Sequence, residues 1–166
     1  MRLATPDDAE LLHRFICELA AYEREPDAVE ATVEGLRAQL SQPRPPFECL
    51  LAEQPEAEPP VARGFALFFS SYSTWRGRPG IYLEDLYVPP AHRGAGIGRS
   101  LLAALARLAT GRGCARLEWA VLNWNAPAIG FYEQLGAVPM STWTIYRLTD
   151  DALEQLAARG PAIDAG

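Results

Sequence analysis

The sequence contains no lysine: all 15 of its basic residues are arginine. This absence excludes Schiff-base chemistry at a lysine amine, and it excludes a P-loop, in which a lysine contacts the phosphates. Acidic residues also outnumber basic ones, 21 to 15, which gives a formal net charge of -6 at pH 7. Such a chain lacks the basic surface that binds nucleic acid, whereas its charge is compatible with a cationic small molecule.

Cysteine and histidine are scarce, with 3 and 2 residues. Cys17, Cys49 and Cys114 are odd in number and widely spaced, which predicts reduced, buried thiols rather than a disulfide framework. No metal-ligand spacing is present, so we expect no metal site. No apolar run reaches the roughly 18 residues of a membrane span, and the acidic N-terminus is unlike a signal or transit peptide. We therefore expect a cytoplasmic protein with neither a membrane nor a nucleic acid as partner.

The length and the periodicity predict one mixed α/β domain over residues 1–166, with a loose tail at 160–166. An acidic, proline-rich turn is expected at residues 54–60, and a loop at 73–80. Helices are expected near 6–23, 33–40, 99–112, 126–135 and 149–159. Strands are expected near 2–4, 47–53, 61–72, 82–88, 116–122 and within 138–148. This order predicts an α+β mixed sheet flanked by helices.

The most informative segment is 82–98, in which a predicted strand ends at Pro89-Pro90 and a glycine-rich turn leads into a helix. Glycines let backbone N–H groups approach an anion closely, and a helix N-terminus favours negative charge. A dinucleotide-binding fingerprint is an alternative, since Glu118 lies about 20 residues beyond Gly98, the spacing of its acidic residue. The spacing alone leaves that alternative open.

Two motifs together favour another family. Arg93-x-x-Gly96-x-Gly98 fits the pyrophosphate loop of the GCN5-related N-acetyltransferases (GNAT), and residues 123–137 resemble their N-x-x-A-x-x-F-Y-x-x-x-G-F signature. Over residues 2–148 the chain is similar to the diamine (spermidine/spermine) and thialysine acetyltransferases, in segments 18–23, 82–88, 93–98 and 124–127.

This resemblance implies the GNAT acyl-CoA N-acyltransferase fold and an acetyl-CoA-dependent N-acetyltransferase. The acceptor would be the primary amine of a small cationic molecule: a polyamine, a diamine or an amino-acid-like amine. Transfer would be direct, in a ternary complex. Alternatives are a protein N-terminal or antibiotic-amine acetyltransferase, and a CoA-binding sensor without turnover.

The resemblance also places acetyl-CoA on the strand before the loop and on the loop itself. Leu86, Tyr87 and Val88 would contact the pantetheine arm through their backbones, as an added strand does. Asn125 and Ala128 match positions near the pantetheine, although Asn125 is equally suited to cap a helix. The pyrophosphate would contact Arg93, Gly94, Ala95, Gly96, Ile97, Gly98 and Arg99, with the two arginines as phosphate partners.

Tyr132 and Glu84 are the candidate catalytic residues. The resemblance places Tyr132 near the thioester sulfur, where a phenol can donate a proton to the departing thiolate. Because Glu84 and Asp85 are adjacent on a predicted strand, we expect their side chains to face opposite sides. The resemblance puts Glu84 in the cleft as a base acting through water, and Asp85 alternatively has a structural role.

Acceptor contacts are expected from seven residues: Tyr22, Glu23, Trp75, Glu84, Asp85, Glu118 and Trp119. Carboxylates and aromatic faces suit a cationic amine. The sequence departs from the polyamine enzymes at Ser73, where they carry an acid, and at 139–143, which replaces an acidic pair. These departures favour a smaller amine than spermine. By analogy we also expect a homodimer, with 142–148 pairing or exchanging between copies.

Overall fold

Most of the predicted elements form. The structure, a computed structural model, describes residues 1–54 and 61–161, so the turn predicted at 54–60 lies outside it except for its first residue. The described strands are β1 (Arg2–Leu3), β2 (Glu48–Gln54), β3 (Val61–Ser73), β4 (Arg78–Tyr87) and β5 (Leu117–Trp119). The described α-helices are α1 (Ala9–Tyr22), α2 (Val33–Leu40), α3 (Ile97–Gly111), α4 (Ala126–Glu133) and α5 (Asp150–Ala157).

The strands form one mixed sheet in the order β1-β2-β3-β4-β5. The first four are antiparallel neighbours, and β5 joins β4 in parallel. The parallel pairing is short and ends where Leu83 lies opposite Trp119. Within the described residues, β4 continues to Tyr87 with β3 as its only partner. The pairing of the two parallel strands therefore ends at Leu83.

Contacts divide the chain into two compact units, Met1–Ala120 and Val121–Gly166. In the first unit, α1 packs on one face of the sheet, where the ring of Phe15 lies 5.6 Å from that of Phe65, centroid to centroid. On the other face, a Cβ added at Gly64 would lie 3.4 Å from Ile97 at the start of α3. The helix α3 buries Leu101, Leu102, Leu105 and Ala109. The second unit contains α4 and α5.

Two expectations for the second half of the chain need correction. The strand predicted within 138–148 does not form, and the strand predicted at 116–122 contracts to Leu117–Trp119. A strand needs a partner for its backbone N–H and C=O groups, and the described ladders give residues 138–148 none. The apolar side chains of this segment, including Trp143, Ile145 and Tyr146, are exposed.

Other boundaries move by a few residues. β4 begins at Arg78, which shortens the predicted loop at 73–80, and α3 begins at Ile97 rather than at residue 99. Thr32 caps α2 as its position before the helix predicts, since its side chain accepts a hydrogen bond from the Gly35 N–H. In the ranges that the structure describes, no helix combines the length and the apolar character needed to cross a membrane.

Gly64 offers a test of how tightly β3 approaches the end of β4. A Cβ added there would lie 2.8 Å from the backbone oxygen of Tyr87 and 3.1 Å from Cγ2 of Val88. Because the nearer atom is backbone, relief requires the strands to shift. We expect Gly64→Ala to lower the free energy of unfolding by about 1–3 kcal/mol, measured by urea denaturation.

Gly111→Ala is the matched control, because a Cβ added to Gly111 would meet no atom within 4 Å. Alanine favours a helix over glycine by up to about 1 kcal/mol, so this variant should be neutral or more stable. An equal loss of stability in the two variants would contradict the close approach at Gly64.

Candidate active site

Residues 88–96 connect the end of β4 to the start of α3. The strand stops before Pro89, and a single 3-10 turn follows at Pro90–His92. Gly94 and Gly96 have φ of 79° and 77°, in the left-handed region that glycine adopts without a steric cost. This conformation lets the loop turn directly into the first turn of α3.

The N-terminus of α3 has no anion of its own. Gly96 supplies no side-chain cap, and the first turn contains no acidic residue. By contrast, α2 has both the Thr32 cap and Glu34 in its first turn. Free N–H groups at a helix N-terminus, together with the helix dipole, attract a negatively charged ligand. With Arg93 and Arg99 exposed beside them, these donors fit a pyrophosphate group.

Arg93 also contacts protein groups within the first unit. Its Nε donates a hydrogen bond of 2.9 Å to the carbonyl oxygen of Val88. Its guanidinium carbon lies 4.8 Å from the centroid of the Tyr22 ring and 6.0 Å from that of Tyr87. Sequence reasoning missed the contact with Tyr22, because the two residues are far apart in the chain and no local pattern links them.

A β-bulge changes the orientation of the candidate carboxylates. Leu67 pairs with Asp85 but Phe68 pairs with Leu83, so Glu84 is an extra residue in β4. Leu83 and Asp85 therefore point to opposite faces, although they are two residues apart. The bulge shifts the side-chain period by one residue, so simple alternation does not hold between Leu83 and Asp85, and the opposite orientation expected of Glu84 and Asp85 stays a prediction.

Asp85 lies on the α1 face of the sheet, as does Leu67, with which it pairs across the strands. Leu67 belongs to the hydrophobic core. Burial, followed by the charges of Glu84 and Glu23, raises the pKa of Asp85 to about 6. Burial also raises the pKa of Glu23, which directly follows α1. Glu84 is exposed. The structure thus brings three predicted acceptor-side carboxylates within electrostatic reach of one another.

The remaining acceptor-side candidates are more dispersed. Trp75 is 87% exposed on the turn before Arg78. Arg78 itself lies six strand residues from Glu84, about 20 Å at roughly 3.3 Å per residue. Glu118 on β5 forms an ion pair with Arg116 at 2.7 Å. Trp119, the last residue of β5, is half-buried.

Three candidate residues, Asn125, Ala128 and Tyr132, lie in the second unit and are described there alone. Asn125 is buried, and its side-chain oxygen accepts a hydrogen bond of 3.3 Å from the Ala128 N–H. This contact confirms that Asn125 caps α4, as its position before Pro127 predicts. Tyr132 lies in α4 and is half-buried, with its ring 5.3 Å from that of Phe131, centroid to centroid.

Comparison with known families agrees with this fold. The model of the acetyltransferase (GNAT) family matches residues 12–137, which is more than half of the chain. The protein belongs to this family. It is an N-acetyltransferase, and its cosubstrate is acetyl-CoA, as the sequence resemblance predicts.

Similar proteins of known activity include a thialysine N-epsilon-acetyltransferase from Bos taurus, 39% identical over 96% of this chain and 97% of the relative. An L-ornithine N5-acetyltransferase from Arabidopsis thaliana is 33% identical over 94% of this chain and 86% of the relative. These matches confirm the predicted subfamily resemblance.

Solved structures confirm the predicted fold. An integron cassette protein of V. cholerae superposes with a TM-score of 0.74 at 25% identity, covering 94% of this chain and 95% of the other. A probable acetyltransferase superposes with a TM-score of 0.73 at 21% identity, covering 91% and 99%.

The raised pKa of Asp85 predicts a pH dependence of stability. A carboxyl group whose pKa rises on folding favours the folded state most when it is protonated. Its contribution is therefore complete below pH about 4 and is lost as the pH rises through about 6. Asp85→Asn stays neutral, so its melting temperature relative to the wild type should increase between pH 4 and 7.

The control is Glu30→Gln, which removes an exposed carboxylate outside this cluster. The difference between its melting temperature and that of the wild type should not increase in the same way. A difference between Asp85→Asn and the wild type that stays constant from pH 4 to 7 would contradict the environment assigned to Asp85.

Proposed function

We propose that this enzyme acetylates the side-chain amine of an amino-acid-like diamine of the thialysine or ornithine type, in a ternary complex with acetyl-CoA. The observation that carries the proposal is the end of the β4–β5 pairing at Leu83, close in the chain to the uncapped N-terminus of α3. Within the first unit the end of β4 is thus a strand edge that leads into an anion site, and acetyl-CoA combines an amide-containing arm with a pyrophosphate.

The proposed cofactor contacts are those that the family resemblance implies, and the end of the β4–β5 pairing beside the glycine-rich loop supports them. Backbone groups of Leu86, Tyr87 and Val88 would pair with the pantetheine amides, as in the addition of a strand. The N–H groups of residues 94–98, together with Arg93 and Arg99, would hold the pyrophosphate. By the resemblance, Asn125 and Ala128 would also contact the pantetheine. When bound, acetyl-CoA supplies an activated acetyl group.

The proposed proton transfers use two side chains. Glu84 accepts, through a water molecule, the proton that the acceptor ammonium must lose. Its exposure and its position in the bulge support this role. The hydroxyl of Tyr132 supplies the proton that the departing thiolate takes up.

Charge distribution supports a small acceptor rather than a long polycation. Glu23, Glu84 and Asp85 concentrate negative charge in one place, which suits one ammonium group. Ser73 is buried, and its Oγ accepts a hydrogen bond from the Arg76 N–H, so this position offers no charge. Glu118 is neutralised by Arg116. Tyr22, Trp75 and Trp119 would provide aromatic surface.

We propose in addition that the enzyme is a homodimer in which residues 142–148 pair between copies. The support is the exposure of apolar side chains in this segment, among them Trp143, Ile145 and Tyr146. A monomer in sedimentation velocity at micromolar concentration would contradict this assembly.

We also propose that both units act as one domain in the cytoplasm. The family match runs across the boundary at residue 120, and the three cysteines are free thiols.

The acceptor is tested by measuring CoA release with acetyl-CoA and a panel of amines. The panel holds thialysine, ornithine, lysine, putrescine, spermidine, an aminoglycoside and a peptide with a free N-terminus. We expect the highest kcat/KM with thialysine or ornithine. A higher kcat/KM with spermidine would contradict the acceptor assignment. No turnover with any of these amines, despite acetyl-CoA binding, would contradict the proposed reaction.

The catalytic roles are tested by Tyr132→Phe and Glu84→Gln. Each should lower kcat by about 10²-fold or more, the usual contribution of a general acid or base, with little change in the Kd for acetyl-CoA. Tyr72→Phe, which removes the hydroxyl of an exposed tyrosine on β3, is the control and should keep wild-type kcat. Wild-type turnover in Tyr132→Phe would refute its role as the acid.

A further inference from the structure

One side chain, Arg93, joins the glycine-rich loop to the acceptor side of the first unit. Tyr22 is the last residue of α1 and precedes Glu23, a member of the carboxylate cluster. The guanidinium carbon of Arg93 lies 4.8 Å from the centroid of its ring. This is well within the roughly 6 Å over which a cation is attracted to an aromatic face. Tyr87 is farther from the same group, at 6.0 Å.

The Arg93 guanidinium also links the start of the segment 88–96 to its glycine-rich part. Its Nε bonds to the carbonyl oxygen of Val88 at 2.9 Å, directly after β4, while Arg93 itself precedes the glycines. The intervening Pro89 and Pro90 have no N–H groups to donate. The backbone hydrogen bonds of this turn are those from His92 to Pro89 at 2.9 Å and from Arg93 to Pro90 at 3.3 Å. A side-chain bond therefore supplements a sparse backbone network.

We infer that Tyr22 is a positioning residue for acetyl-CoA: its ring holds Arg93, and Arg93 holds the loop in the conformation that binds the pyrophosphate. This inference rests on the proposed function of the loop. It adds to the acceptor-side role of Tyr22 an effect on the cosubstrate, which the loop containing Arg93 would bind.

A consequence for the reaction is coupling between the two substrates. An acceptor that contacts Tyr22 and a cosubstrate that contacts the loop both act on the Tyr22–Arg93 contact. Any change that one produces in the affinity for the other must be reciprocal. Tyr22 and the glycine-rich loop are thus coupled through Arg93, although they are far apart in the sequence.

The test is calorimetric titration of the full chain with acetyl-CoA in the absence of any amine. Tyr22→Leu should raise the Kd about two- to five-fold, the change expected from loss of an exposed cation–π contact. Tyr22→Phe keeps the ring and should bind within about 1.5-fold of the wild type. If Tyr22 serves the acceptor alone, Tyr22→Leu will leave this Kd unchanged, and the inference is overturned.

A double-mutant cycle separates this contact from general damage to the fold. Arg93→Gln should weaken acetyl-CoA binding, and adding Tyr22→Leu to it should weaken binding no further, because the shared contact is already lost. Independent, multiplicative effects on Kd would overturn the inference. Tyr22→Gln, which also removes the ring, is the second variant if Tyr22→Leu is unstable. Failure of the wild type to bind acetyl-CoA would instead refute the proposed function.

Discussion

The organisation of the first unit depends on the hydrogen bonding of one strand, β4. Its first half is bonded on both sides, by β3 and by β5, whereas after Leu83 the described pairing continues with β3 only. Backbone groups that leave a ladder need other partners, from water or from a ligand. The end of β4 leads directly into the glycine-rich loop, so the unpaired edge and the helix N-terminus form one continuous surface for a ligand with amides and phosphates.

The bulge at Glu84 lies at the place where β4 and β5 separate, and it links the fold to the chemistry. By adding one residue, it places Asp85 on the α1 face, where burial and two neighbouring carboxylates act on its ionisation. Negative charge is thereby gathered beside the proposed cosubstrate edge. The proposed acceptor ammonium would compensate this negative charge.

Much of this could be predicted from local sequence patterns. Thr32 and Asn125 predict helix starts, because capping depends on neighbouring residues alone. The glycines at 94 and 96 predict left-handed turns before α3. The register of β3 against β4 could not be predicted, since no local pattern marks Glu84 as a bulge. The contact between Arg93 and Tyr22 likewise depends on tertiary structure. Residues 138–148 have a strand-like pattern, but a pattern does not supply the partner that a strand requires.

Hydrogen–deuterium exchange with and without acetyl-CoA would test the proposed use of the β4 edge. If the pantetheine pairs with β4 and the pyrophosphate with the loop, exchange should slow at the amides of residues 84–88 and 94–99. Exchange in α2 (Val33–Leu40), which lies outside the proposed contacts, should stay the same. Tight binding with no slowing at either segment, or with protection confined to other elements, would contradict the site proposed for the cosubstrate.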